Sequence, residues 1–252
     1  MVSRDSRRID GQLVPFEVHH GPARPLWFLP GFGVHPSYYA AGLHRLAHHF
    51  TVYVPDLSFR SHPSLPQRIV RYRMLLEELA DHVAPDAPRA GHSFGGLMAM
   101  LGSRPALALS PMVPVPCGWP AKVWRAVRLQ VREYAGLEGR LGARWAAAIL
   151  RDYVGTAIRR PASLFPAIAE TLGGVLDSLL PTAPTTLVVL AERDHLYRRR
   201  EVEAYLSRAN RTALTVRQVA TGHDWPVTHP ELLESEVCRA LAFSAAGALS
   251  TR

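Results

Sequence analysis

Residues 89–100 read RAGHSFGGLMAM, and the fold turns on whether Ser93 stands on a strained corner between a strand and a helix or on a glycine-rich bend that happens to hold a serine. A serine hydroxyl is almost wholly protonated at neutral pH and needs a base within hydrogen-bond reach before it can act as a nucleophile. Backbone geometry must therefore present it. Where a strand turns sharply into a helix, the corner residue is pushed into an unfavourable backbone region, and the positions two before and two after approach so closely that a Cβ there would clash. In GHSFG those elbow positions are Gly91 and Gly95. Gly96 then opens the apolar run LMAML, which predicts a helix whose first N–H groups face an anionic intermediate.

Outward from this stretch, short β-branched or apolar runs alternate with helical patterns. LVPFEV (13–18), PLWFLP (25–30), FTVYVP (50–55), ALALSPM (106–112), TTLVVLA (185–191) and ALTVRQV (213–219) read as strands. Residues 38–50, 66–83, 198–209 and 230–246 read as helices. Such alternation predicts an α/β fold, a mostly parallel central sheet flanked by helices. From about Pro116 to Leu180 no strand pattern occurs, only helical segments broken by AGLEGRLG and RRPASLFP. The expectation is a core built from 1–115 and 181–252, carrying a helical cap, or lid, at 116–180.

A nucleophilic serine calls for a histidine as base and a carboxylate to orient it. Asp194 follows the strand TTLVVLA in ERDHLY, and His223 follows ALTVRQV in ATGHDWPVTHP, with Gly222 allowing the chain to bend. The chain order Ser93, Asp194, His223 is the one expected when the nucleophile sits on an elbow in an α/β sheet, with all three loops at one end of the strands. Each assignment has rivals. His195 shares a loop with the candidate acid, and His229 lies at a helix start, where a surface or capping role is expected. Glu192 still belongs to the strand end, and Asp177 to the end of the helical block. Asp224 and Asp56 read as structural, Asp56 as fixing the loop after its own strand.

An oxyanion formed in acyl transfer needs fixed donors, which backbone amides supply at no cost in reorganisation. The amide of Phe94, directly after the nucleophile, is one candidate. The other is the amide of Phe32 in PGFGVHPSYY, where Gly31 and Gly33 let the backbone come close.

Taken together, LPGFG, VPDL, GHSFGG, LAERDHLY and TGHDWPVTHPELL resemble the α/β-hydrolase superfamily, in matching order over nearly the whole chain. The resemblance implies a serine hydrolase with a helical cap, using Ser93, Asp194 and His223 and requiring no cofactor and no metal. Within the superfamily the chain is most similar to small capped carboxylesterases, including the pimeloyl-acyl-carrier-protein methyl ester esterases. It departs from the pattern in three places. Pro30-Gly31 replaces the usual His-Gly pair, which changes what braces the oxyanion loop. LSFRSHPS follows Asp56 where relatives carry a Pro-Gly-x-Gly-x-Ser run. The segment from Gly95 to the next strand is short, so the helix behind the nucleophile is expected to be truncated.

Bulk properties narrow the field further. Among 252 residues, 29 are Lys or Arg against 21 acids, yet Lys122 is the only lysine. An arginine bias of this kind fits a GC-rich genome, and no basic tail or basic run interleaved with aromatics points to nucleic acid. No run of 18 apolar residues suggests a membrane span, and the opening MVSRDSRRIDGQLVPF lacks the apolar segment of a secretory signal, so the expected setting is cytoplasmic. The two cysteines, Cys117 and Cys238, have no disulfide or metal spacing and read as packing residues. The expected substrate is a small-molecule acyl ester or thioester. Residues 119–160 hold nine Lys/Arg against three acids. Beside the plain reading of a solvated helix face, that excess suggests docking of an acidic acyl carrier protein on the cap.

Overall fold

In a computed structural model of the chain, the described residues are 1–22, 24–56, 69–113, 180–183, 186–194, 196–208 and 214–249, with scattered positions between 147 and 158. The expected cap at 116–180, its boundaries, Cys117, Asp177 and His195 lie almost entirely outside them.

Among the described residues, eight strands form one sheet: β1 (Val2–Ile9), β2 (Gln12–His19), β3 (Pro25–Leu29), β4 (Thr51–Pro55), β5 (Arg89–His92), β6 (Ala106–Leu109), β7 (Thr186–Ala191) and β8 (Leu214–Val219). Their spatial order is β1-β2-β4-β3-β5-β6-β7-β8. β1 and β2 pair antiparallel across Asp10-Gly11, both at positive φ (46° and 75°), which is the mirror-image two-residue turn that suits the twist of a hairpin. β2 also runs antiparallel to β4, and every later pairing is parallel.

Parallel interior strands must be apolar on both faces, and β3 illustrates how period-two alternation builds two cores. Trp27 and Leu29 pack on one side with Leu75 and Leu79 of α2 (Ile69–Val83) and with α3 (Phe94–Met100). Leu26 and Phe28 pack on the other with Leu43 and Leu46 of α1 (Ala40–Leu46) and with Leu233 and Val237 of the last helix (Pro230–Leu249). Val188 and Leu190 of β7 fall in the first core, Val189 and Ala191 in the second.

The register aligns the strand ends. Leu29 pairs with Gly91, His92 with Leu109, Leu109 with Val189, and Ala191 with Val219. The loops beginning at Pro30, Ser93, Ser110, Glu192 and Ala220 consequently leave the sheet along one rim. Between β7 and β8 runs α4 (Arg199–Ser207), and after β8 come the short α5 (Trp225–Thr228) and the long α6 (Pro230–Leu249). The region read as a helix over 38–50 begins as a 3₁₀ turn, Pro36–Tyr39, before α1. α3 has seven residues, all buried, so the helix behind the serine is short as expected. None of the helices among the described residues is long and apolar enough to cross a membrane.

Candidate active site

Ser93 occupies the junction of β5 and α3 with φ 54° and ψ −116°, a conformation costly for any residue with a Cβ. Its backbone is held from three directions: its amide donates to Leu109 O at 3.0 Å, and its carbonyl receives the amides of Leu97 (3.1 Å) and Met112 (2.9 Å). The hydroxyl caps no amide of α3.

The glycines around it are required by close approach. A Cβ on Gly91 would collide with the Gly95 carbonyl and lie 2.8 Å from the Gly96 nitrogen. One on Gly95 would strike the Leu29 carbonyl and stand 2.5 Å from that of Pro30. The start of α3 is thus pressed against the end of β3, which sets Phe94 beside the loop that follows it. The rings of Phe32 and Phe94 meet edge to face, centroids 5.2 Å apart, and Tyr72 of α2 packs on Phe94 at 5.1 Å. The turn carrying Phe32 is closed by the Val34 amide onto the Gly31 carbonyl (3.1 Å), with Gly33 at φ 65°. Phe94 is the first residue of α3, where the helix offers an amide no internal acceptor.

Asp194 and His223 are brought together and buried, 7% and 2% exposed. Nδ1 of His223 lies 2.8 Å from Oδ2 of Asp194, while Oδ1 accepts the amides of Leu196 and Tyr197, each at 2.8 Å. The carboxylate is therefore fixed by its own loop and spends one oxygen on the imidazole. The two loops are stitched together where they leave the sheet, by the Glu192 amide to Val219 O (2.8 Å) and the Arg193 amide to Thr221 O (2.9 Å). Tyr197 packs on the imidazole, ring centroids 5.7 Å apart. Among the rivals, Glu192 is exposed, and His229 is exposed with its carbonyl receiving the first amides of α6, from Leu232 and Leu233.

Ser93 connects to this pair through its neighbour. His92 is fully buried, its ring centroid 5.1 Å from that of His223, and its Nε2 lies 3.1 Å from the His223 carbonyl. On its other side Nδ1 is 2.7 Å from the Tyr39 hydroxyl, which in turn receives the Gly31 amide at 3.0 Å. The ends of this chain fix its two outer bonds, because an amide can only donate and a carbonyl can only accept. Gly31 N–H donates to Tyr39 Oη and Nε2–H donates to the carbonyl, and with the ring neutral Nδ1 accepts the Tyr39 O–H. Burial, and then electrostatic repulsion from the neighbouring His223 ring, hold His92 well below the ordinary imidazole value of 6.5. His92 and Tyr39 were not legible as site residues from spacing, being 53 positions apart.

Two further anchors sit at the rim. Ser110, at the end of β6 with φ 41° and wholly buried, accepts Nε1–H of Trp225 at 3.1 Å. That fixes the residue two beyond His223. Asp56 lies 3.3 Å from Nε2 of His35, so it ties the oxyanion loop to the end of β4 as well as ending its own strand. Asp224 caps α5 with its carbonyl, as the amides of Val227 and Thr228 attest. Among the described residues, His92, His223 and Asp224 are the group whose ligand-type atoms converge, within 4.8 Å. Nε2 of His92 and Nδ1 of His223 already serve the hydrogen bonds described.

A sequence model of the Alpha/beta hydrolase family matches residues 28–236, from the middle of β3 into α6. The chain belongs to the alpha/beta hydrolase family. Strands β4 to β8, the elbow and the three rim loops occupy the matched span, while β1 and β2 precede it. No curated protein matches the chain in sequence. Solved structures resemble it closely in fold at low identity. One from Acinetobacter baumannii AYE, described as a lipase, aligns at TM-score 0.68 with 13% identity, covering 98% of this chain and 93% of that one. A hydrolase from Pseudomonas aeruginosa PA01 gives 0.65 with 18% identity over 95% and 98%. A thioesterase domain from the curacin biosynthetic pathway gives 0.61 with 11% identity over 94% and 99%. Similarly folded solved structures also include an epoxide hydrolase and a haloalkane dehalogenase, each at 15% identity.

Proposed function

We propose that this chain is a serine hydrolase that cleaves a carboxylic ester through an acyl-enzyme, with Ser93 as nucleophile, His223 as base and Asp194 as the group that orients it. The observation that carries the reading is the positive φ of Ser93 at the strand-to-helix corner, one residue from the His92 that touches His223. Strain of this kind persists only where the surrounding structure imposes it. With Nδ1 held by Asp194, the imidazole is oriented to take the serine proton at Nε2. The hydroxyl attacks the acyl carbonyl, the proton passes to Nε2, and the amides of Phe32 and Phe94 receive the oxyanion. Collapse expels the alcohol, which takes the proton from the imidazole. Water, deprotonated by the same nitrogen, then releases the carboxylate. Residues of this chain supply every proton transfer, and no cofactor is needed.

Reaction with a fluorophosphonate probe tests the proposal directly. Wild type is expected to be labelled at Ser93, and Ser93→Ala to lose both labelling and ester hydrolysis by several orders of magnitude. Near-normal hydrolysis by Ser93→Ala would refute it, and an unreactive wild type would favour a binding or non-hydrolytic use of the scaffold. A panel of p-nitrophenyl esters and acyl thioesters then defines chain length and leaving group.

The excess of six positive charges over residues 119–160 favours a second reading, a substrate carried on an acidic acyl carrier protein. Free and carrier-bound forms of one acyl chain, compared at low and high salt, decide it. Faster, salt-sensitive turnover of the carrier-bound form supports docking, and equal, salt-insensitive rates eliminate it.

A further inference from the structure

We infer that Tyr39 and His92 are positioning residues that set the spacing between the oxyanion loop and the base loop, an inference that rests on the hydrolase reading above. Their three hydrogen bonds run from the Gly31 amide, one residue before the proposed Phe32 donor, to the backbone carbonyl of His223. Every link is buried, so water cannot replace a lost partner without cost. The sequence lacks the His-Gly pair expected before this loop, having Pro30-Gly31 instead. The Tyr39 hydroxyl supplies the brace, and Gly31 lets it approach, since a Cβ there would stand 3.2 Å from Tyr39 Oη and 3.8 Å from His92 Nδ1. Tyr39 is itself locked: 1% exposed, it packs edge to face on Phe28 at 5.0 Å and on His92 at 5.8 Å. The ring is core packing, while the hydroxyl, through His92, joins the two loops.

That division makes the inference testable. Tyr39→Phe keeps the ring and removes the bridge, and His92→Gln keeps a donor toward the His223 carbonyl while giving up the imidazole acceptor. Two readouts are needed. Amide hydrogen exchange over residues 30–35 reports the brace without reference to catalysis, and roughly tenfold faster exchange is expected in Tyr39→Phe. Turnover per active site, counted by burst titration, is expected to fall about 10- to 100-fold, because a displaced oxyanion donor costs transition-state stabilisation. Affinity for a tetrahedral adduct, such as that of a trifluoromethyl ketone, should fall in parallel while KM changes by less than about twofold. A residue that merely supports folding would lower the number of titrated sites and leave turnover per site at the wild-type value; that result, or unchanged exchange, overturns the inference. If Tyr39→Phe does not fold, His92→Gln is read by the same measures. If wild type itself is unreactive, the hydrolase reading fails, and exchange still decides whether the brace exists.

Discussion

Nδ1 of His223 and Oδ2 of Asp194 stand 2.8 Å apart in a buried pair, and the second carboxylate oxygen is held by the amides of Leu196 and Tyr197. Asp194→Asn preserves that shape but turns an acceptor into an amide that cannot hold the imidazole in the productive tautomer. Hydrolysis is expected to drop about 10⁴-fold, the order seen when a triad carboxylate becomes an amide. Steady-state kinetics check this, and a loss below about tenfold would remove Asp194 from the proposed triad.

The glycines divide into those that answer to contact and those that answer to conformation. Gly95→Ala places a methyl group against the carbonyls of Leu29 and Pro30, both backbone, so the elbow must deform. Loss of probe labelling with reduced yield of folded protein is expected. Gly11 has φ 75° and nothing within 4 Å of an added Cβ, so Gly11→Ala should cost only about 1 kcal/mol and leave labelling intact. Urea unfolding and labelling of the two variants side by side make the comparison.

His92 predicts a pH dependence of stability. Its neighbours are the Tyr39 hydroxyl, the His223 carbonyl and ring, and Oδ1 of Asp224 at 3.9 Å. Because burial depresses its folded value below 6.5, the unfolded chain binds a proton that the folded chain refuses. The contribution is complete above 6.5 and declines as the pH falls from there toward the folded value, with a slope approaching about 1.4 kcal/mol per pH unit. Urea unfolding from pH 7.5 to 5 should show a shallower decline in His92→Gln, and parallel curves for variant and wild type would contradict the assignment.

Much of this architecture is legible in the chain. β2, β3, β4, β6, β7 and β8 follow from β-branched or apolar runs, and Gly91 and Gly95 follow from the spacing around Ser93. β1 is not legible because VSRDSRRI is an exposed edge strand, buried mainly at Ile9, and edge strands need no apolar alternation. β5 is only four residues, and its sheet character shows through the elbow rather than through its own composition. The pairing of Asp194 with His223 was legible from loop order. Tyr39, His92 and Ser110 were not, since their roles arise from hydrogen bonds between distant segments, and a buried tyrosine or serine carries no local signature. The sequence reads Asp56 as fixing the loop after its own strand, which lies outside the described residues, whereas its contact with His35 ties it to the neighbouring loop.

The twisted backbone at Ser93 implies that the working protein is not the sturdiest version of itself. Glycine tolerates that torsion freely, so Ser93→Gly should yield an inert chain that melts later than its parent, by roughly 1 kcal/mol of relieved torsion. Reactivity at this corner and durability of the scaffold would then pull in opposite directions, a tension that calorimetry on the two proteins would expose.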